Sequence, residues 1–519
     1  MSSILPPCDQ GVIHSSPANA PCSASAAPWI LAATILGSSL AFIDGSVVNL
    51  ALPAFQAELN ATLIDAQWVV EAYALLLAAL ILVGGSLGDI YGRRRMYAIG
   101  VTVFAVSSIW CGLAPGIGQL ILARALQGIG AALLVPGSLA IISASFRSTE
   151  RGRAIGTWSG FTSITAAVGP VLGGFLVEHG SWRSVFFINV PVALVVLILT
   201  FRHVPESRNP HAVGGLDWIG AALATIGLGG VIYALVESSK RGWTDDAVMA
   251  ALVSGVIALA AFVVVEMHTR APLLPLTLFR SRNFSGANLL TLFLYSALSG
   301  LLFFFPLNLI QVQGYSPTSA GASMLPFILL MFLLSRWSGA LADRYGAKRP
   351  LVVGPLIVAL AFFIFAIPSI GGDYWNTFFP ALVVLGLGMA TSVAPLTTTV
   401  MNSVPGERSG TASGINNAVS RLAAVLSIAV FGIVMLASFK QHFSSRLAEM
   451  NLEPRIRQDI EMQEVRLAAI EIPRDIDTRL KEEIRRSIDD SFIAGFRLVM
   501  FVAAGLALLS AATAMLMID

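Results

Sequence analysis

Three ionisable side chains stand inside stretches of this sequence that are otherwise apolar. Asp44 lies in AFIDGSVVNLALP (41–53), Glu71 in WVVEAYALLL (68–77) and Arg124 in LARALQGIGAALLVPG (122–137). A charged side chain on a lipid-buried helix is costly, and it faces a partner or a wet cavity. Two carboxyl groups beside one permanent cation make a proton-binding constellation. Desolvation favours a neutral acid, a guanidinium favours the carboxylate, and a change of surroundings tips the balance. The same residues also fit a static ion pair that ties helices together, and Glu71, near the end of its helix, also fits simple hydration.

The elements that must position these groups follow from composition. The chain has 519 residues, of which 56% are hydrophobic and 12% charged. Soluble domains are about one quarter charged, so most of this surface is expected to face lipid. Apolar stretches of roughly 20 residues, enough to cross a bilayer core, fall at 29–52, 67–90, 96–115, 119–142, 154–177, 184–202, 216–236, 247–266, 285–311, 318–342, 351–370, 375–401, 409–439 and 491–517. The expected fold is therefore an all-α membrane bundle of 14 helices, with Asp44, Glu71 and Arg124 at similar depth in helices 1, 2 and 4.

Basic residues orient this bundle. With a cytoplasmic N-terminus, the inner loops hold Arg93–Arg95, Arg147, Arg151, Arg153, Arg202, Arg208, Arg270, Arg280, Arg282, Arg344, Lys348, Arg349 and Arg408. The short outer loops hold only Arg183, Lys240 and Arg241. That is the positive-inside pattern, and it places both termini in the cytoplasm.

A motif recurs at the inner ends of helices 2 and 10, as GGSLGDIYGRRR (84–95) and SGALADRYGAKR (338–349). Asp89 precedes Arg93 and Arg94 in the first copy. Asp343 precedes Arg344 in the second, with Arg336 seven residues upstream. Gly92 permits a tight turn, and the charges are placed to bridge to a neighbouring helix end. A latch that forms in one of two states biases the transition between them, although ordinary cytoplasmic anchoring also uses such charges. The duplication points to two related halves that move against each other.

Other residues suggest packing seams and a cavity. In helix 5, GFTSITAAVGPVLGGFLVE (160–178) carries Gly169, Pro170, Gly173 and Gly174, small residues for close approach around a kinking proline. In helix 13, GTASGINNAVSRLAA (410–424) places Asn416, Asn417 and Arg421 near mid-membrane. Arg421 fits a substrate contact and a bond to backbone carbonyls equally. Helix 9 carries Phe303, Phe304, Phe305, Asn308 and Gln311. That aromatic wall with amides suits amphipathic organic molecules, while Phe on membrane helices also faces lipid. Asn49 on helix 1 completes the cavity candidates.

The expected organisation is a cytoplasmic tail (1–28, without a signal-peptide pattern), a six-helix half (29–203), a linker with two extra helices (204–284) and a second six-helix half (285–519). A charged extracytoplasmic insertion, 440–490, interrupts the last half. Its Ile456, Ile460, Val465, Leu467 and Ile470 recur at roughly helical spacing between breaks at Pro454 and Pro473. It reads as a polar helical pair that acts as a solvated spacer, with a substrate-handling role as the alternative. Cys8, Cys22 and Cys111 are too few for a disulfide framework or a metal site. A net charge of +2 suggests no nucleic-acid partner.

In this order the segments resemble the major facilitator superfamily, and within it the fourteen-helix drug:proton antiporter branch. The resemblance runs from helix 1 to helix 14. GSLGDIYGRRR is similar to the family's loop motif between helices 2 and 3, and GALADRYGAKR to its second-half copy. LARALQGIG is similar to the helix 4 motif, whose arginine implies a part for Arg124 in proton coupling. IDGSVVNLALP resembles the helix 1 motif of this branch and AVGPVLGG the antiporter motif of helix 5. SWRSVFFINVP (181–191) and ASGINNAVSR (412–421) resemble the segments that open helices 6 and 13. There are departures. Ile90 stands where a basic residue often follows the loop Asp, which weakens the first latch. Thr165 replaces the first glycine of the helix 5 motif, which puts tight packing there in question. Gly45 and Ser46 vary around Asp44.

The resemblance implies export of amphipathic or cationic toxic compounds in exchange for protons, across a bacterial cytoplasmic membrane, by rocking the halves around a midplane site. The implied partners are a small-molecule substrate, protons and the bilayer. The energy source is the proton gradient, with no cofactor. The sequence has no nucleotide-binding loop and no metal-ligand cluster, which argues against a primary pump. Nor does it show the nucleophile, base or metal set of an enzyme. A proton-coupled carrier of one metabolite or siderophore is the alternative, and a transport-incompetent sensor is a more distant one.

Overall fold

Backbone amides find no water inside a lipid bilayer, so each long apolar run must satisfy them within its own helix. The computed structural model describes residues 26–519 except 147, 209–216, 270–271, 405–408, 451 and 474–475. Within that range the side chains at 148–153, 156, 159–160, 163–164, 166–167, 335–336, 339–345 and 409–410 also lie outside the description. Among the described residues there is no strand. The long helices are α1 (Ala27–Leu59), α2 (Leu63–Tyr91), α3 (Arg93–Leu113), α4 (Ile117–Ser145), α5 (Ser148–His179), α6 (Ser184–His203), α7 (Trp218–Arg241) and α8 (Asp246–His268). They continue as α9 (Arg282–Val312), α10 (Pro317–Ser323 followed by Leu325–Tyr345), α11 (Lys348–Phe365), α12 (Phe378–Asn402), α13 (Ser409–Glu449) and α14 (Thr478–Met517).

Among the described residues, 13 helices are long and apolar enough to cross a membrane. The remaining one, α5, is a helix of 32 residues. Each expected span thus has its helix, and the differences lie at the ends. α1 runs through Pro53 to Leu59, beyond the expected end at 52. α10 is broken at Met324 because Pro326 occupies the opening turn of its second piece, where proline is well tolerated. α13 and α14 extend far into the charged insertion, to Glu449 and from Thr478. Apolar positions continue there at helical spacing and bury each other: Phe439, Phe443 and Leu447 on α13, Ile484, Ile488 and Phe492 on α14.

The chain divides into two compact units. The first holds the residues up to Val48, Ala72–Gly229 and Val256–Leu276; the second holds Asn49–Glu71, Gly230–Gly255 and Thr277–Asp519. In the first unit α3 and α4 touch backbone to backbone. A Cβ on Gly100 would stand 2.9 Å from the Gly130 carbonyl oxygen, and one on Gly130 would stand 2.6 Å from the Phe104 amide nitrogen. In the second unit α11 and α12 make the same kind of crossing. A Cβ on Gly354 would stand 3.0 Å from the Gly388 carbonyl oxygen, and one on Gly388 would stand 2.8 Å from the Val358 amide nitrogen. Gly100 and Gly354 are separated by the same interval as Asp89 and Asp343, so the internal repeat extends from the loop motif into a helix crossing.

Gly130→Ala and Gly388→Ala are each expected to lower thermal stability of the purified protein by about 1–3 kcal/mol, the usual effect of overpacking a close contact. Gly118→Ala, whose Cβ meets nothing within 4 Å, is the control and should not destabilise. Equal melting temperatures for all three would show that the crossings are loose.

Candidate functional site

Asp44 and Arg124 meet inside the first unit, each 1% exposed. Arg124 Nη1 lies 2.5 Å from Asp44 Oδ2 and donates to Gln127 Oε1 at 2.7 Å. Gln127 Nε2 donates to Asp44 Oδ1 at 3.0 Å and to Ser108 Oγ at 3.3 Å. Asn189 Nδ2 donates to the same two atoms, at 3.3 and 3.0 Å. Ser108 in turn donates to the Phe186 carbonyl at 2.9 Å. The guanidinium also lies over the Tyr73 ring, 4.3 Å from its centroid, a favourable cation–π placement. The result is a closed polar network contributed by α1, α3, α4 and α6, with Tyr73 of α2 above it.

Small residues bring these helices close enough for such short bonds. A Cβ on Gly128 would collide with the Tyr73 carbonyl, so α4 can lie directly on α2 just beyond Arg124. On α5, Gly169 faces Ser46 and Gly173 faces Val47 with no room for a side chain. Both contacts fall within a turn of Asp44. Pro170 lies between them and is buried, as is Gly174. Thr165, where the resemblance led one to expect a glycine, accepts a hydrogen bond from Ser39 of α1 at 3.1 Å. The α1–α5 seam continues there through hydroxyls.

A family model described as "Major Facilitator Superfamily" matches residues 34–428. The chain belongs to the major facilitator superfamily. Its relatives include the "Multidrug resistance protein Stp" of Mycobacterium tuberculosis, 38% identical over 78% of this chain and 75% of that one. Another is the "Tetracenomycin C resistance and export protein" of Streptomyces glaucescens, 32% identical over 94% of this chain and 91% of that one. Among solved structures, a bacterial homologue of the lysosomal transporter Spinster superposes with a TM-score of 0.65 at 19% identity, over 95% of this chain and 98% of that one. That likeness concerns the fold. The chain is a multi-pass membrane transporter and not an enzyme.

In this superfamily member the third ionisable side chain belongs to a different unit from the first two. Glu71 lies in the second unit, is 0% exposed, and neither carboxylate oxygen has a hydrogen-bond partner among the described residues. Nearby on α2, Gln67 donates to the Ile428 carbonyl of α13 at 2.8 Å.

The first loop motif folds onto its own unit. Arg93 Nη2 lies 2.8 Å from Asp89 Oδ1. Arg94 Nη1 donates to the Val204 carbonyl at the end of α6, at 3.3 Å. The carboxylate of Glu206 accepts from the backbone amides of Arg94 and Arg95, each at 3.1 Å, which caps α3 where an anion suits the helix dipole. Gly92 turns with φ 113°, and a Cβ there would meet the Glu206 carboxylate at 2.7 Å. In the second copy Gly346 also turns with positive φ, 77°. The side chains of Asp343, Arg344 and Arg336 lie outside the described residues.

The cavity candidates all fall in the second unit, but in different settings. Phe304 is buried edge-on against Phe303, with ring centroids 4.9 Å apart. Asn308 is buried and its Nδ2 has no hydrogen-bond partner among the described residues. Gln311 Nε2 donates to Gln56 Oε1 at 3.0 Å. Asn416 Nδ2 donates to Thr291 Oγ1 and Asn288 Oδ1, at 2.7 and 3.2 Å, joining α13 to α9. Asn417 is exposed and bonds back to the Ser413 carbonyl at 3.1 Å. Arg421 is half-buried, and the Oδ1 of half-buried Asn49 has no hydrogen-bond partner among the described residues.

Sequence reasoning missed Gln127, Ser108, Asn189 and Glu206. Gln127 follows Arg124 by three residues, on the same face of α4, and that spacing was the available signal. Asn189 and Ser108 are neutral polar residues in largely apolar segments, and only the fold brings them to Asp44.

Arg124→Ala strands Asp44 in a buried site and is expected to cost about 3–5 kcal/mol of stability. Replacing both partners together, as Asp44→Leu with Arg124→Met, should cost less than that single change. Thermal unfolding of the purified variants decides this. A double variant destabilised by the sum of Asp44→Leu and Arg124→Met would mean that the pair is not coupled.

Proposed function

We propose that this chain exports amphipathic or cationic toxic compounds in exchange for protons, by alternating access. The observation that carries the export reading is its similarity, along 94% of its length, to a protein named for tetracenomycin C resistance and export. The proton side rests on Asp44, Arg124 and Glu71. Asp44 has its charge matched in place. Glu71 has no such match, and an ionised carboxylate there needs water or a cation beside it. We assign the three to proton coupling: protonation of a carboxyl alters its attraction for Arg124 or for a cationic substrate, and so favours one of two conformations.

In this reading the N-terminus faces the cytoplasm, α1–α6 and α9–α14 form the two moving halves, and α7–α8 are an added hairpin. The Asp89–Arg93–Arg94 turn, with Asp343, Arg344 and Arg336, is the cytoplasmic latch. The Gly169–Gly174 segment of α5 is the flexing seam. Asn49, Phe304, Asn308, Gln311, Asn417 and Arg421 are candidate substrate contacts, while Asn416 serves first to join α13 to α9. A narrower substrate range is the second reading, favoured by relatives named for single compounds: tetracenomycin C, puromycin and methylenomycin A.

The test is efflux of a fluorescent lipophilic cation from cells expressing the chain, with and without a protonophore. Efflux should be protonophore-sensitive, and Asp44→Asn, Glu71→Gln and Arg124→Ala should each slow it by about tenfold or more, the scale of one lost charged contact. Wild-type rates in Asp44→Asn and Arg124→Ala would refute the coupling assignment. Absence of efflux from cells in which the protein is shown to be inserted would favour the narrower reading.

A further inference from the structure

The segment between α13 and α14 has more structure than a spacer requires. With 41 and 40 residues, these helices are each roughly 60 Å long, about twice the hydrocarbon core of a bilayer. Beyond their membrane-length parts they build a small core. Phe443, Leu447, Ile484 and Ile488 are buried there, as are Ile460 of a short helix (Pro454–Glu461) and Leu467 of the following 3-10 segment, and none is more than 2% exposed. Arg446 Nη1 and Asp490 Oδ2, 2.5 Å apart, link the two extensions.

One side chain reaches out of this insertion to another part of the unit. Arg485 of α14 donates through Nη2 to the Gln311 carbonyl at 2.6 Å and through Nη1 to the Ala468 carbonyl at 3.1 Å. Its Nε lies 3.2 Å from Asp489 Oδ1. Gln311 belongs to the wide last turn of α9, Asn308–Val312. After this turn Gln313 bonds back to the Asn308 carbonyl and Tyr315 to the Leu309 carbonyl. The Gln311 carbonyl is thus among the last acceptors of the helix, which need donors from outside, and a cation suits the negative end of the helix dipole. The side chain of the same Gln311 holds Gln56 near the end of α1.

We propose that Arg485 is a positioning residue for transport. Acting through Gln311, it holds the last turn of α9 and the end of α1 in register, so the insertion takes part in the conformational cycle. The proposal rests on the export reading above. It bears on the rate of the cycle, because Arg485 bonds the backbone carbonyl of Gln311 and not its side chain, the group placed among the candidate substrate contacts.

The experiment uses the full chain and the same fluorescent cation. Arg485→Ala should lower the maximal efflux rate by about fivefold to tenfold, the scale of a lost charged hydrogen bond, with the half-saturating concentration unchanged. Arg485→Lys should recover part of that rate. Arg446→Ala, which removes a half-exposed pair on the same insertion, should match wild type, since such pairs contribute little. A second readout needs no substrate. In a chain whose Cys8, Cys22 and Cys111 are replaced by Ser, and which keeps Gln56 and Gln311, the neighbouring Ala57→Cys and Ile310→Cys are joined by a short bifunctional maleimide. The yield should fall when Arg485→Ala is added. An unchanged yield, or equal efflux from Arg485→Ala and wild type, overturns the proposal. A yield that depends on Arg485, in a protein whose wild type moves no cation, overturns export of lipophilic cations and leaves the positioning contact standing.

Discussion

A charge inside a membrane has only protein to bond with, and in the first unit that constraint falls on Asp44 and Arg124. Three further side chains, from α3, α4 and α6, close around the pair. Bonds of 2.5–3.3 Å between different helices require those helices to lie close, and the glycines at 100, 128, 130, 169 and 173 are the positions where they do. The polar network and the small-residue seams therefore depend on each other. Opening either would leave charge without a partner, at a cost of several kcal/mol.

The paired crossings, Gly100 with Gly130 and Gly354 with Gly388, give each unit a stretch where two helices touch through backbone alone. Such contacts leave no side chain to adjust, so deformation must be taken up elsewhere. Prolines interrupt the hydrogen-bond ladders of α1, α4, α5, α9, α11 and α12, and helices bend at such points. Rigid crossings with local bending sites in three of the same helices, α4, α11 and α12, are a physical basis for movement by whole segments.

Much of this was legible in the sequence because membrane insertion leaves strong signals. Twenty-residue apolar runs located the helices, and the glycines of the duplicated motif marked turns that occur with positive φ at Gly92 and Gly346. What was not legible depended on weaker or longer-range signals. Ser108 and Asn189 carry no charge, and only tertiary packing brings them into the Asp44 network; Gln127 was marked by no more than its spacing from Arg124. Glu71 and Arg124 sit at similar depth in sequence, yet depth says nothing about which face of a helix a group occupies. Asn416 reads as a cavity amide until the fold brings Thr291 and Asn288 to it. The ends of α13 and α14 were masked by charge: Phe443, Leu447, Ile484 and Ile488 form an apolar stripe inside a segment whose average composition is that of a loop.

The continuity of α13 and α14 has a mechanical consequence. A helix that runs unbroken from the bilayer into a packed head is a lever with its fulcrum in the membrane. With an arm of about 20 Å outside, a tilt of about 10° within the bilayer sweeps the head through about 3.5 Å. Small angular changes among buried helices are thereby converted into displacements the size of a side chain at a solvent-exposed surface, where an antibody fragment or a designed binder has room to resist them.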